Sequence, residues 1–264
     1  MKILNGAELA GFVKQRQSLV VAEMLDNGKS PKLAIVRDSD NPVIAKYVEL
    51  KKQYGKDIGV VVMDVETEPY KVKETIKNYS DDQSVDGIIL QLPIMDKDAT
   101  DEAVKLIAPE KDVDGLSGVG SFDSATATAI NWLLTGYDIS LAGRKIALVG
   151  HGRLVGMPLQ KMWHNSGYDV TVFQHGDDLS SLINYDVIVT ATGVPHLIKS
   201  SMVKAGAVVV DAGTASEGGV LIGDIEEDIR DREDLLAVTP RIGGVGPLTV
   251  AVLFENVITA ATKK

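Results

Sequence analysis

A chain of 264 residues is long enough for two domains at ~100–200 residues each, and its 45% apolar and 24% charged residues are the makeup of a globular protein rather than a disordered one. No apolar run approaches the ~18 residues of a bilayer-spanning helix, Met1 to Gly6 lack the apolar stretch of a secretory leader, and the absence of cysteine removes disulfides, thiolate metal sites and cysteine nucleophiles, so a cytoplasmic protein without membrane contact is expected. Thirty-seven acids against 27 bases give a net charge of −10, and four Phe, seven Tyr and two Trp are too few for aromatic platforms, so nucleic acid is not an expected partner.

Short β-branched runs alternate with longer amphipathic segments. Asn5 reads as the N-cap of an opening helix, with Glu8 three residues on and Leu9, Phe12, Val13, Val20 and Met24 at helical spacing as its inner face. Leu33–Val36, Gly59–Met63 and Gly87–Leu90 read as buried strands, joined by helices over Ala45–Tyr54 and Tyr70–Tyr79. After the glycine-rich stretch Gly115–Gly120 comes a linking helix, Thr126–Leu134. Strands are then expected at Lys145–Val149, Val170–Phe173, Val187–Thr190 and Ala207–Val210, and a final apolar helix at Leu248–Ala261. Alternating strands and helices predict an α/β fold of two α/β domains, the second a Rossmann-type doubly wound parallel sheet.

Gly150-His151-Gly152-Arg153-Leu154-Val155-Gly156 follows one of these strands directly and opens a helix. This G-x-G-x-x-x-G spacing permits a tight turn, close backbone approach and a helix N-terminus aimed at a pyrophosphate, although a bare βα turn would look the same. The next strand ends Phe173-Gln174-His175-Gly176, with no acid placed for a ribose 2′-hydroxyl. Arg153 and His175 could meet a 2′-phosphate, so NADP is the expected cofactor; Asp177 and Asp178 lie close by, and NAD stays open. Thr192, just past the Val187–Thr190 strand, completes the expected cofactor residues.

Tyr47 and Lys51 are four apart on a predicted helix and project from one face. A lysine whose pKa is lowered by burial can act as acid or base near neutrality, although a Tyr-x-x-x-Lys pair is also common surface decoration. Gln91-Leu92-Pro93 would place an amide at the C-terminal edge of a sheet, where open α/β sheets bind ligands. Lys111-Asp112-Val113-Asp114-Gly115 is a polar turn in which an acid could anchor a nitrogen heterocycle, or in which the charges serve the turn alone. His151, His164, His175 and His196 are scattered and offer no metal spacing, and His164 is read as structural.

Taken in order, Asn41-Pro42, Tyr47-Val48 with Lys51, Gln91-Leu92-Pro93, Lys111–Gly115, Gly150–Pro158, Gly223-Asp224 and Gly243-Gly244-Val245-Gly246-Pro247-Leu248-Thr249 resemble the bifunctional methylenetetrahydrofolate dehydrogenase/cyclohydrolase family over nearly the whole chain. The resemblance implies a folate-binding catalytic domain at 1–118 with a returning helix at 246–264, and an NAD(P)-binding domain at 119–245. It implies oxidation of 5,10-methylenetetrahydrofolate to the methenyl form and hydrolysis to 10-formyltetrahydrofolate, by a homodimer. Lys51 would be the acid/base, Gln91 would set its state, Tyr47 would pack on the folate, and Asp114 would bind the pterin edge. Gly243, Gly244, Gly246 and Pro247 would border the ligands. The chain departs from similar proteins at Ile44, where they carry serine, at Ser124–Ala129, at the Gly150-His151-Gly152 start of the cofactor loop, and at Ile242, where proline is usual. A cyclohydrolase without the dehydrogenase, or a non-catalytic folate- or nucleotide-binding relative, is the alternative reading.

Overall fold

The computed structural model describes residues 1–39, 41–213, 215–217 and 220–263. In chain order the elements are β1 (Lys2–Ile3), α1 (Gly6–Asp26), β2 (Lys32–Arg37), α2 (Pro42–Ile58), β3 (Val61–Glu66), α3 (Val72–Asp81), β4 (Gly87–Leu90), α4 (Thr100–Lys105) and α5 (Ala125–Gly136). They continue with β5 (Ile146–Val149), α6 (Gly156–Asn165), β6 (Val170–Phe173), β7 (Val187–Thr190), β8 (Val208–Asp211), β9 (Ala215–Glu217), β10 (Val220–Ile222), β11 (Ala237–Val238) and α7 (Val245–Thr262). The chain divides into two units: Gly11–Ala125 with Val250–Lys264, and Met1–Ala10 with Thr126–Thr249. The changeovers fall at residues 10, 125 and 249, against boundaries read from sequence at 118 and 245. Residues from Val250 onward thus group with the Gly11–Ala125 unit.

The Gly11–Ala125 unit is built on a parallel three-stranded sheet in the order β3-β2-β4, with Leu33 opposite Gly87 and Val36 opposite Leu90. Leu33, Ala34, Ile35 and Val36 are all fully buried, the continuous apolar run expected of a central parallel strand covered on both faces. The edge strand starts at Val61 rather than Gly59, because Gly59 adopts φ +87° at the end of α2 and the Val60 amide bonds back to the Gly55 carbonyl, a glycine-terminated helix end. α2 itself begins at Pro42, earlier than the apolar pattern shows, since proline suits the first helical position. Before α3 the segment from Pro69 to Lys71 is a short 3-10 turn, so the α-helix starts at Val72 rather than Tyr70.

The inner face of α1 is the expected one only in part: Met24 is buried and Leu9 and Val13 are half-buried. Phe12 is 64% exposed and Val20 is also exposed, whereas Gln17 and Val21 are buried. Gln17 holds the centre of the face because its amide is fully used: Nε2 donates to the Ala251 carbonyl at 2.8 Å and Oε1 accepts from the Tyr54 hydroxyl at 2.8 Å. A pattern scored on apolar residues alone skips this position and rotates the helix. Tyr54 in turn stacks on Phe254 with ring centroids 4.9 Å apart. α7 has the length and composition of a membrane-crossing helix, a feature the run-length reading passed over. Leu253, Phe254, Val257 and Ile258 are taken up in packing, as in a core helix.

The second unit carries a six-stranded sheet in the order β1-β11-β8-β7-β5-β6, every pairing parallel. β5 is followed outward by β6, and the chain then returns to place β7 on the other side of β5, the topological switch of a doubly wound fold. β1 and β11 are two residues each, too short for a strand pattern to show in sequence, although β11 ends the apolar run Leu235–Val238. Asn5 caps α1 as expected, accepting from the Glu8 amide at 3.2 Å. The reciprocal half of the capping box is missing: the Tyr137 hydroxyl donates to Glu8 and accepts from the Asn5 amide at 3.1 Å. His164 is exposed near the end of α6, so it does not have the structural role expected of it.

Candidate active site

In the first unit, the C-terminal edge of the sheet gathers the predicted acid/base group. Gln91 follows β4 directly and is anchored by its amide, which donates to the Val36 carbonyl at 2.9 Å. Its Oε1 accepts from Lys51 Nζ at 2.7 Å, while its Nε2 donates weakly to the Leu92 carbonyl at 3.3 Å. Lys51 projects from α2, one turn after half-buried Tyr47 and beside buried Val48. Burial pushes the Lys51 ammonium below the usual lysine range, with the nearby Asp114 carboxylate partly holding it up. Asp114 is displaced the other way: burial raises it, Lys51 pulls it down and Asp112 adds to the rise. The same burial therefore lowers the amine and raises the neighbouring carboxyl, and the attraction between their charges opposes both shifts. Ile44, in place of the serine expected from similar proteins, is buried.

The polar turn before Gly115 separates into three different jobs. Lys111 is buried and its Nζ donates to the carbonyls of Ser80 at 2.6 Å, Asp82 at 2.8 Å and Tyr79 at 3.2 Å, satisfying the C-terminal end of α3. Asp112 accepts from the Leu116 amide at 3.0 Å, the Ser117 amide at 2.8 Å and the Ser117 hydroxyl at 2.6 Å, which closes the turn. Its backbone also forms a parallel bridge to Ile88 of β4. Asp114 is left as the acid beside Lys51.

In the second unit, the switch point brings together several of the residues expected to meet the cofactor. Gly150 leaves β5 with φ +96°, and Gly156 opens α6 so close to it that a β-carbon there would lie 2.2 Å from the Gly150 carbonyl oxygen. The turn closes backbone on backbone, leaving Gly152 exposed, and Val155 precedes α6 as its N-cap without a side-chain hydrogen bond. Thr192 abuts the same turn, its methyl 3.1 Å from where a Gly150 β-carbon would be. This is a cradle of backbone donors at the start of a ten-residue helix, and it fits a dinucleotide pyrophosphate. The ring of His151 leans along α6, its Nε2 2.7 Å from Gln160 Oε1, and Arg153 is half-buried. His175 is exposed in the turn after β6. In that turn Asp177 accepts from the Gln174 amide at 2.7 Å and Asp178 accepts from the Ser180 amide at 2.9 Å, so both nearby acids serve the local backbone.

Gly243, Gly244 and Pro247 lie at the start of α7 within this second unit. The Gly243 carbonyl accepts from the Ala7 amide at 2.9 Å, and a β-carbon on Gly6 would sit 2.0 Å from the Gly244 carbonyl oxygen, so this segment packs tightly on the N-terminus of α1. A buried acidic pair, Asp211 and Asp224 with Arg230, escaped the sequence reading although Gly223-Asp224 stood among the motifs.

Residues 4–114 match the model of the tetrahydrofolate dehydrogenase/cyclohydrolase catalytic domain, and residues 124–264 match that family's NAD(P)-binding domain. The chain belongs to the tetrahydrofolate dehydrogenase/cyclohydrolase family. It is 34% identical over 276 residues to the bifunctional protein FolD of Staphylococcus carnosus, covering 98% of this chain and 96% of the relative. Its fold superimposes on the bifunctional FolD of Campylobacter jejuni with a TM-score of 0.93 at 31% identity, over 100% of this chain and 99% of that one. The dehydrogenase-cyclohydrolase of Trypanosoma brucei, solved with NADP and an inhibitor, gives a TM-score of 0.92 at 25% identity over 99% and 97% of the two chains.

Proposed function

We propose that this chain oxidises 5,10-methylenetetrahydrofolate with NADP and hydrolyses the resulting methenyl cation to 10-formyltetrahydrofolate, with Lys51 as the acid/base of the second step. The observation that carries the assignment is the Lys51 amine, partly buried, bonded to Gln91 at 2.7 Å and neighboured by Asp114. Gly150, Gly152, Gly156 and Thr192 would hold the dinucleotide, with His151, Arg153 and His175 the candidate contacts of its phosphates. NADP, when bound, supplies the hydride acceptor. The choice of NADP over NAD is supported by the end of β6, where Phe173-Gln174-His175 carries no acid and Asp177 and Asp178 accept from amides of their own turns.

The oxidation asks the protein for alignment, since the bridge carbon gives up hydride without prior proton removal. Tyr47 packs on the folate and Asp114 fixes the pterin edge. The methenyl product is a cation, and its charge beside Lys51 favours the neutral amine still further. Neutral Lys51 takes a proton as the oxygen of water bonds to the bridge carbon. The protonated amine then returns a proton to the ring nitrogen as its bond to that carbon breaks, and the hydroxyl proton leaves to solvent as the formyl group forms. Gln91, bonded to Nζ and tethered to β2 through its own amide, keeps the amine aimed through both transfers.

Replacing Lys51 with Met tests the assignment. Methenyltetrahydrofolate hydrolysis should fall by ~10²–10⁴-fold, the usual worth of a positioned acid/base, while folate binding persists. Hydrolysis that continues undiminished would remove Lys51 from the chemistry. We further read the chain as a cytoplasmic homodimer with a small-molecule partner only; the family resemblance supports this, and a mass in solution twice that of the chain is the expected result.

A further inference from the structure

Behind Thr192 lies a buried charge cluster that the mechanism above does not use. Asp224 is fully buried; its Oδ2 accepts from the Thr190 hydroxyl and from the Thr192 amide, each at 2.6 Å, and its Oδ1 has no hydrogen-bond partner. The Asp224 amide donates to Asp211 Oδ1 at 3.1 Å, the Gly213 amide donates to the same oxygen at 3.1 Å, and Arg230 Nη2 donates to Asp211 Oδ2 at 2.7 Å. Glu227 stands at the rim, 3.3 Å from Arg230 Nη1. Burial raises Asp211 above the usual carboxylate range, and the charge of Asp224 adds to that rise.

The surrounding backbone is cut to fit these acids. A β-carbon on Gly213 would fall 2.0 Å from Asp224 Oδ1, and one on Gly223 would fall 1.9 Å from Asp211 Oδ2. Of the two buried carboxylates only Asp211 is paired with the guanidinium, such a pair gains little over apolar packing, and the Asp224 oxygen without a partner costs stability. The cluster's effect is therefore on geometry. Its carboxylate fixes the start of the turn at the Thr192 amide, the Thr192 hydroxyl accepts from the Val194 amide at 3.1 Å, and the Gly223 carbonyl accepts from the His196 amide at 3.2 Å to fix the end. Thr192 presses on the Gly150 turn, so a shift at Asp224 passes straight to the dinucleotide cradle.

We propose that Asp224 is a positioning residue for hydride transfer: through Thr190 and Thr192 its buried carboxylate sets the turn against which the nicotinamide cofactor is held. The proposal rests on reading Gly150–Gly156 and Thr192 as the cofactor site. Ring-opening of methenyltetrahydrofolate consumes only water, so the two activities report separately on the cofactor side and on the rest of the enzyme. Asp224→Ala removes both acceptor bonds and should raise the KM for NADP about tenfold, with cyclohydrolase turnover within about twofold of the unsubstituted protein. Asp224→Asn, which keeps the shape and one acceptor oxygen, should recover most of that loss.

An unchanged KM for NADP in Asp224→Ala, or a parallel fall of both activities, would overturn the proposal. If the alanine protein does not fold, Thr190→Val carries the test by removing one of the two donors. It should raise the KM for NADP about threefold, and no change would overturn the proposal. Failure of the underlying reading is distinguishable, because the unsubstituted protein would then show no NADP-dependent turnover in the same assay.

Discussion

A lysine on a solvated helix holds its proton far above neutrality, and what makes Lys51 different is its surroundings. Removal from water lowers it, and Asp114 limits the fall. If the neutral amine is the working form, cyclohydrolase activity climbs with pH and levels off below the ordinary lysine range. Asp114→Asn removes the charge that holds the amine up, so the rising limb should move to lower pH. Gln91→Glu adds a negative charge 2.7 Å away and should move it to higher pH. A limb that stays in place in both variants would mean that the rate does not report on Lys51. The spacing of Tyr47 and Lys51 was legible in sequence because four residues on a helix is a fixed geometry. The partition of Lys111, Asp112 and Asp114 was not: three charges in one turn look alike until the carbonyls at the end of α3 claim the lysine and the amides of Leu116 and Ser117 claim the first acid.

Among the elements, the α3 end and the β5–α6 turn depend on single residues. Lys111→Met would leave the carbonyls of Tyr79, Ser80 and Asp82 without their buried donor, an expected loss of about 2–4 kcal/mol in urea unfolding. A loss below about 0.5 kcal/mol would show that water replaces the ammonium there. Gly156→Ala would force a methyl into the Gly150 carbonyl and should abolish NADP binding while methenyltetrahydrofolate hydrolysis continues. Both turns were visible as glycine and charge patterns, since glycine spacing is a backbone requirement written directly in residue identity. The phase of α1 was not visible. Its buried centre is Gln17, and a buried amide shows its worth only when Tyr54 and Ala251 arrive from distant sequence to satisfy it.

For the molecule as a whole, strand–helix alternation was enough to give two α/β units, and the parallel order β1-β11-β8-β7-β5-β6 with its switch at β5 bears out the doubly wound reading. What escaped was long-range pairing of very short pieces, β1 with β11 and β11 with β8, where no local pattern exists to read. The departures from similar proteins bear mainly on the cofactor side, at Ser124–Ala129 and the Gly150-His151-Gly152 start of the loop, so hydride transfer is the step to measure. The most direct test follows reduced nicotinamide absorbance when the purified protein meets 5,10-methylenetetrahydrofolate with NADP and, in parallel, with NAD. The account predicts sustained growth of absorbance, faster with NADP. No growth with either cofactor, while methenyltetrahydrofolate is still hydrolysed, would contradict it and leave a cyclohydrolase alone.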